Sequence, residues 1–255
     1  MREELLEAVC RIAREAGELI MPWFHAPDLQ ARRKSDRSQV TEADEAAERL
    51  ILERLAALAP DIPVVAEESV AAGRVPKVGD ASFWLVDPLD GTKEFIRKIP
   101  EFTVNIALIE QRRPVLGAVY LPASGELYAG RQDGGAFVED SGGRHAIRTR
   151  RFPASGITVT VSRTYGAGRD IDRFLARYDV ARQIDAGSSL KFCLIARGEA
   201  DVYPRYGGSN EWDTAAGHAV LAAAGGSVRE INDGPELLYG KARFSNPWFI
   251  AWGGS

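Results

Sequence analysis

The chain has few of the residues that form the common nucleophilic and metal sites of other protein classes. It contains two cysteines and three histidines in 255 residues, without the Cys/His spacing of a zinc site. Cys10 and Cys193 lie in apolar, helix-like segments and are predicted to be buried thiols. His25, His145 and His218 neighbour none of the acidic strand ends described below, so a histidine nucleophile is not expected.

The sequence also lacks a basic excess, long apolar runs, internal repeats and low-complexity tracts. Its formal net charge is −4, whereas a nucleic-acid polymer usually requires a basic face, so we expect no such partner. A small anionic substrate is compatible with this charge, because bound cations reverse the local potential. Without a secretory h-region or an apolar run of membrane length, we expect a cytoplasmic protein with no integral membrane segment. Peripheral association with a membrane stays open.

What the sequence does contain is the mixed helix and strand pattern of an ordinary globular enzyme. Its length suffices for one large domain or two modest ones. We predict a boundary near residue 150, between an N-terminal α+β half (1–150) and a C-terminal α/β half (151–255). The predicted helices span 2–21, 41–59, 171–178, 190–197 and 215–226. The predicted strands span 62–66, 83–86, 157–162, 201–203, 227–231 and 248–252, with an antiparallel meander over 102–149.

One predicted buried strand, 83–86, ends in two carboxylates, Asp87 and Asp90, followed by Gly91 and Thr92. Such an ending places acids and backbone amides at one edge of a sheet, which suits a hard cation with a phosphate above it. The same residues are also consistent with a simple turn, since Asp, Pro and Gly all favour turns. An aspartyl-phosphate phosphatase fits less well, because its Asp-x-Asp-Gly-Thr signature would place Pro88 at the nucleophile.

The preceding predicted strand, 62–66, also ends in acids, Glu67 and Glu68. Together the two strand ends gather four carboxylates near one edge. Two unit charges about 4 Å apart repel by roughly 4 kcal/mol at an effective dielectric of 20. Clustered carboxylates therefore need either raised pKa values or a cation, and a divalent ion is the simpler solution.

Other polar segments have local explanations as well as functional ones. Thr41 and Asp44 can form a capping box at the start of the second helix, and Asp213 can cap an alanine- and glycine-rich helix. The serines of 187–189 can cap a helix or hold a ligand. A basic cluster is predicted to lie in a solvated loop and comprises Arg32, Arg33, Lys34 and Arg37.

Four segments, in this order, resemble the inositol monophosphatase-like superfamily. They are Val40-Thr-Glu-Ala-Asp44, Glu67-Glu-Ser69, Asp87-Pro-Leu-Asp-Gly-Thr92 and Trp212-Asp-Thr-Ala-Ala-Gly217, and the resemblance covers essentially the whole chain. Further segments are similar to the bacterial 3′(2′),5′-bisphosphate nucleotidases within that superfamily. These are Lys93-Glu-Phe95, the run from Gly187 to Leu194, Tyr203-Pro-Arg205 and His218 after the Trp-Asp segment.

The resemblance implies a layered αβαβα sandwich of the sugar-phosphatase type, with α+β and α/β halves. It implies a magnesium-dependent enzyme that converts adenosine 3′,5′-bisphosphate, a by-product of sulfate activation and sulfonation, to AMP and phosphate. Two or three Mg²⁺ ions, in-line attack by water and inhibition by lithium are implied as well. Enzymes accelerate the hydrolysis of phosphate monoesters by factors that approach ~10²¹. General acid–base catalysis typically contributes a factor of 10²–10⁴, so the metal ions must provide most of the rate enhancement.

The resemblance also assigns roles to individual residues. The implied metal contacts are Glu67, Asp87, Asp90, Asp213 and the backbone carbonyl of Leu89. The implied catalytic residues, which activate or orient water, are Asp44, Glu67 and Thr92. The implied substrate contacts are Glu67, Leu89, Asp90, Gly91, Thr92, Ser188, Lys191, Arg205 and Asp213. Among them, the backbone amides of Gly91 and Thr92 would hold the phosphate. The side chains of Ser188, Lys191 and Arg205 would face the nucleotide and its second phosphate.

The chain departs from the nucleotidase pattern at one place. Glu68 is followed by Ser69-Val70, as in inositol phosphatases, whereas nucleotidases often have another acid after this glutamate. The sequence therefore determines the substrate less well than the reaction. The alternatives are therefore an inositol-1-phosphatase and a histidinol-phosphatase. A catalytically silent nucleotide-binding protein is the alternative from another class. The expected partner is a small phosphate ester, and a homodimer is left open.

Overall fold

The computed structural model describes residues 2–26, 36–78, 81–163, 168–232 and 234–254, with the side chains of 36–41 left out. The predicted basic cluster, Arg32, Arg33, Lys34 and the side chain of Arg37, lies outside the described residues. So does the Thr41 side chain on which the predicted capping box depends.

Most helices and strands lie close to where the periodicity predicted them. The helices are α1 (Arg2–His25), α2 (Asp36–Leu58), α3 (Glu67–Ala71), α4 (Thr92–Ile96), α5 (Arg169–Leu175), α6 (Leu190–Ala196) and α7 (Trp212–Ala223). The strands are β1 (Val64–Ala66), β2 (Phe83–Asp90), β3 (Thr103–Glu110), β4 (Arg113–Leu121), β5 (Glu126–Arg131), β6 (Gly135–Asp140), β7 (Gly143–Ile147), β8 (Ile157–Ser162), β9 (Val180–Ala186), β10 (Val202–Arg205), β11 (Ser227–Glu230) and β12 (Phe249–Trp252).

The first sheet contains β1 to β7 in sequence order. Strand β1 is parallel to β2, and the remaining neighbours are antiparallel, which confirms the predicted meander. Both faces are apolar, because alternate residues point to opposite sides and consecutive residues of strands such as β2 are apolar. Trp84 and Val86 pack with α1 and α2, whereas Phe83 and Leu85 pack with α6 and α7.

Small residues allow α7 to lie unusually close to this sheet. A Cβ atom added to Gly117 of β4 would lie 2.8 Å from Ala216 O and from Ala219 Cβ. At Gly130 of β5 it would lie 2.8 Å from Ala223 Cβ. The alanine- and glycine-rich composition of α7 therefore serves close helix–sheet packing, as its sequence indicated.

The second sheet has the strand order β11-β12-β10-β8-β9. One of its faces packs with α6 through Phe192, Tyr203 and Phe249. The other packs with α5 through Phe174 and Val159. The layers thus run from α1 and α2 through the first sheet, α6 and α7, and the second sheet to α5, which confirms the predicted αβαβα sandwich.

Several boundaries differ from the predictions. Helix α1 continues past Pro22 to His25, so this proline removes one intrahelical hydrogen bond without ending the helix. Strand β9 was not predicted, because its central residues are exposed and polar and give no apolar alternation. Strand β2 was predicted to stop at Val86, but it extends through Asp87 to Asp90 with a register shift between those two acids.

The predicted boundary between two halves near residue 150 stays a prediction. The first sheet ends at Ile147 and the second begins at Ile157, but α7 of the C-terminal half packs on the first sheet. No helix in the described ranges is both long enough and apolar enough to cross a membrane.

Candidate active site

Two parallel strands bring the first acids together. Ala66 at the end of β1 pairs with Val86 of β2, so Glu67 and Asp87 follow at the same edge of the sheet. Asp213 reaches this edge from the first turn of α7. One carboxylate oxygen from each of these three residues lies within 4.8 Å of the other two.

Asp213 is a helix-terminal residue as well as a member of this acidic cluster. Its Oδ2 accepts a hydrogen bond from Asn210 N at 2.9 Å, although the N-cap position belongs to Glu211. Asp213 therefore lies near the N-cap, as predicted, and its carboxylate satisfies a backbone N–H near the helix start. This bond fixes the orientation of the carboxylate.

The segment from Asp87 to Asp90 belongs to strand β2 and also contains a turn-like hydrogen bond, so both predicted interpretations apply to it. Asp87 Oδ1 accepts a hydrogen bond from Leu89 N at 3.1 Å, a local bond typical of Asp-Pro turns. The irregular register in β2 separates Asp87 from Asp90. The Leu89 carbonyl accepts a hydrogen bond from Thr92 Oγ1 at 3.4 Å, so this carbonyl and the Thr92 hydroxyl are neighbours.

Burial and mutual repulsion raise the pKa values of these acids. Desolvation followed by the charges of Asp213 and Asp90 raises the pKa of Glu67 to about 8. Desolvation and the charge of Asp90 raise the pKa of Asp213 to about 7. The pKa values of Asp87 and Asp90 are raised as well, chiefly by burial. A cation at this position would offset the repulsion and favour the ionised forms.

Asp44 extends the acidic cluster from the side of α2. Its side chain is buried, and its Oδ1 has no hydrogen-bond partner among the described residues. Desolvation, then the charges of Glu68 and Glu67, raise its pKa to about 9. Asp44 thus lies next to the cluster, as the resemblance implied.

The turn after Asp90 brings backbone amides to the same place. Gly91 has a φ of 94°, and α4 begins at Thr92. A Cβ atom at Gly91 would lie 3.1 Å from Glu101 O and 3.3 Å from Ser188 Cβ. Glycine is therefore required both by the left-handed conformation and by the approach of the loop before α6.

A cavity of about 470 Å³ opens beside the acidic cluster. Seven of the residues that the resemblance assigned line it: Asp90, Gly91, Thr92, Ser188, Lys191, Arg205 and Asp213. Glu67, Asp87, Leu89 and Asp44 are not part of that wall. Glu67 and Asp87 adjoin it through Asp213, whose carboxylate lies within 4.8 Å of theirs. The structure therefore brings the assigned residues to one place, while their chemical roles stay predictions.

Lys191 is buried, unlike a lysine that binds phosphate at the protein surface. Its ammonium donates to Ala186 O at 3.3 Å and to Ser188 O, and lies 5.2 Å from the centre of the Tyr203 ring. Burial lowers its pKa to about 8, although the charge of Asp90 acts in the opposite direction. Arg205 donates to Gly208 O at 2.6 Å, so both cations are positioned by backbone carbonyls on the cavity wall.

Comparison with known proteins places this geometry in a family. The model of the inositol monophosphatase family matches residues 1–248. This chain belongs to the inositol monophosphatase family. It is 46% identical over 247 residues to the Salmonella typhimurium protein named 3′(2′),5′-bisphosphate nucleotidase CysQ, covering 96% of this chain and 98% of that one. It is 44% identical to the Shigella flexneri protein of the same name over 246 residues, with the same coverage.

Solved structures of the inositol monophosphatase family agree with the fold. The structure of CysQ from Bacteroides thetaiotaomicron has a TM-score of 0.85 at 33% identity, covering 99% of this chain and 98% of that chain. SuhB from Mycobacterium tuberculosis has a TM-score of 0.74 at 26% identity, covering 99% and 91%. Family and layered fold are thus shown by independent comparisons.

Two buried polar residues, Asn105 and Ser189, tie the acids of this family member together. Sequence analysis selected Ser189 as a possible cap or ligand contact, but it did not select Asn105. Asn105 of β3 donates from Nδ2 to Asp90 Oδ2 at 3.3 Å and to Ser189 Oγ at 3.1 Å. Ser189 in turn donates to Asp213 O at 2.9 Å. Asn105 links β2 to α7 through one serine. Its position inside an otherwise apolar strand is the signal that could have revealed it, since buried polar residues need a reason.

Glu48 was also missed, and it positions Glu67 indirectly. Its two carboxylate oxygens accept hydrogen bonds from Glu68 N at 2.8 Å and from Ser69 Oγ at 2.6 Å. These bonds hold the first turn of α3, which carries Glu67. Glu48 lies four residues after Asp44, on the same face of α2, and that spacing is the available sequence signal.

Proposed function

We propose that this protein is a magnesium-dependent phosphomonoesterase that hydrolyses the 3′-phosphate of adenosine 3′,5′-bisphosphate to give AMP and phosphate. The observation that carries the proposal is the meeting of Glu67, Asp87 and Asp213 from three distant segments beside a cavity with Lys191 and Arg205 on its wall. The names of the relatives, 3′(2′),5′-bisphosphate nucleotidases at 43–46% identity, support the same substrate.

The donor set suits magnesium. Hard cations prefer carboxylate and carbonyl oxygens, and Glu67, Asp87, Asp90, Asp213 and the Leu89 carbonyl provide only such atoms. The orphaned Asp44 Oδ1 adds a buried acceptor beside them. When bound, Mg²⁺ supplies Lewis acidity and a lowered pKa for water. We propose two or three ions, as the family resemblance implies.

The chain's own residues would align the attacking water and the phosphate. The Thr92 hydroxyl donates to Leu89 O, so its lone pairs are left to accept a hydrogen bond from water. The carboxylate of Glu67 can accept a proton from that water, and Asp44 can help to orient it. The amides of Gly91 and Thr92 can donate to the phosphate oxygens at the start of α4. Water would then attack phosphorus in line, and the bond from phosphorus to the 3′-oxygen would break. The leaving oxygen would take up a proton from solvent, which balances the proton that Glu67 accepts from the attacking water.

Lys191 and Arg205 favour a substrate with two phosphates. Inositol 1-phosphate has one phosphate and would bring no second phosphate to these cations. The Ser69 that resembles inositol phosphatases has a structural hydrogen bond to Glu48, so its identity says little about the substrate. Inositol-1-phosphatase remains the second candidate, because it is an activity of the same family.

Phosphate release from adenosine 3′,5′-bisphosphate, measured with Mg²⁺ and with EDTA, tests the reaction. We expect release with Mg²⁺ and none above background with EDTA. Nucleotide binding without phosphate release under both conditions would identify a catalytically silent binding protein and contradict the proposal.

A further inference from the structure

Glu94 is a buried carboxylate on the cavity wall to which the proposed mechanism gives no role. It lies in the first turn of α4, two residues after Thr92. Its side chain is 8% exposed, and the residue lines the cavity. A buried ionisable side chain is costly unless it has hydrogen-bond partners, so its surroundings call for an explanation.

The two cationic side chains that interact electrostatically with Glu94 donate their hydrogen bonds to other acceptors. A Cβ atom on Gly187 would lie 2.8 Å from Glu94 Cγ, so the loop before α6 packs directly on this side chain. The charge of Glu94 acts on Lys191 and Arg163. However, Lys191 donates to Ala186 O and Ser188 O, and Arg163 donates to both carboxylate oxygens of Glu101 at 2.7 and 2.6 Å. Within the described ranges, no hydrogen bond reaches the Glu94 carboxylate.

Glu94 lines the cavity, so a molecule bound there can donate a hydrogen bond to its carboxylate, and the local charge limits what that donor can be. A carboxylate repels phosphate oxygens, so Glu94 is not a phosphate contact. It requires a neutral O–H or N–H group close to the phosphate held by the same turn of α4. In a nucleoside 3′-phosphate, the nearest such group is the 2′-hydroxyl on the adjacent ribose carbon. Acidic side chains recognise ribose hydroxyls in other nucleotide sites.

We propose that Glu94 accepts a hydrogen bond from the ribose 2′-hydroxyl beside the 3′-phosphate and makes the enzyme selective for ribonucleotide over deoxyribonucleotide substrates. This inference rests on the proposed function, because it takes the nucleoside bisphosphate as the substrate. A hydrogen bond to a charged acceptor corresponds to about a tenfold to 100-fold effect on kcat/KM.

The test compares adenosine 3′,5′-bisphosphate with its 2′-deoxy analogue on the wild type, Glu94→Gln and Glu94→Leu. We expect the wild type to prefer the ribonucleotide about tenfold to 100-fold. Glu94→Leu should lose this preference by losing ribonucleotide activity alone, while its kcat/KM for the deoxy analogue stays within about twofold. Glu94→Gln should retain part of the preference, because an amide oxygen still accepts a hydrogen bond. Arg97→Ala, an exposed change at the end of the same helix, is the matched control and should behave as wild type.

Three outcomes overturn the inference in distinguishable ways. Equal losses on both substrates in Glu94→Leu and Glu94→Gln indicate a structural role only. A wild-type preference near one shows that the 2′-hydroxyl is not recognised, and this result does not depend on whether any variant folds. If the wild type hydrolyses neither nucleotide, the proposed function itself fails and takes this inference with it.

Discussion

Replacing Asp213 by asparagine should make the metal-free protein more stable and remove its response to magnesium. Asparagine keeps an oxygen that can accept the hydrogen bond from Asn210 N, so the start of α7 is preserved. It removes one of three carboxylates whose oxygens lie within 4.8 Å of one another. At that distance each pair of charges repels by about 3.5 kcal/mol at an effective dielectric of 20.

The pKa of Asp213 gives the magnitude and the pH range. Burial and the charge of Asp90 raise it to about 7, against about 3.9 for an unperturbed aspartate. Because the folded state holds its proton more tightly, the free energy of unfolding falls as pH rises from about 4 to about 7. At about 1.4 kcal/mol per pKa unit, the loss is about 4 kcal/mol. For a chain of this size, each kcal/mol corresponds to about 2–4 °C of Tm, so Asp213→Asn should gain roughly 8–16 °C at pH 8 in EDTA.

Thermal unfolding at pH 8, in EDTA and across a Mg²⁺ titration, measures both effects. Wild type should gain stability with Mg²⁺, whereas Asp213→Asn should start higher and respond weakly. Asp61→Asn, at an exposed aspartate between α2 and β1, should match wild type in both conditions. The reasoning is refuted if Asp213→Asn is less stable than wild type in EDTA and still gains as much Tm from Mg²⁺.

Three further predictions concern individual contacts. Asp90→Asn should fold and lose nearly all turnover; near-normal phosphate release would contradict its metal role. Lys191→Ala should raise KM for adenosine 3′,5′-bisphosphate more than for a monophosphate, and equal changes on both would count against a second-phosphate contact. Asn105→Leu should lower Mg²⁺ affinity about 10- to 100-fold by releasing Asp90 and Ser189; unchanged affinity in a calorimetric titration would show that this network is not needed to position the ligands.

The sequence predicted most strands because their apolar patterns are strong, whereas the prediction of the layered fold came from the family resemblance. The meander over 102–149 and strand β8 follow from alternating and continuous apolar runs, and α7 follows from its small residues. Strand β9 could not be predicted, because its exposed polar residues are held by pairing with β8 and not by burial. The end of β2 was wrong for a related reason, since the pairing of Asp87 with Asn105 and of Asp90 with Thr103 extends the strand through residues that locally favour a turn.

The acidic cluster was predictable at the two neighbouring strand ends, whose parallel pairing follows from fold rules. Asp213 is different, because nothing in the local sequence places α7 beside Glu67. Its assignment came from family resemblance, and the structure supplied the proximity. Asn105 and Glu48 act through hydrogen bonds across sequence separations of 15 and 20 residues or more, and such bonds depend on tertiary packing that no local pattern encodes.

Side-by-side turnover of adenosine 3′,5′-bisphosphate and inositol 1-phosphate, with and without Mg²⁺, tests the central claim most directly. The account predicts magnesium-dependent phosphate release from both or from the nucleotide alone, with the higher kcat/KM on the nucleotide. A higher kcat/KM on inositol 1-phosphate would contradict the assigned substrate, and phosphate release that persists at full rate in EDTA would contradict the metal-assisted reaction itself.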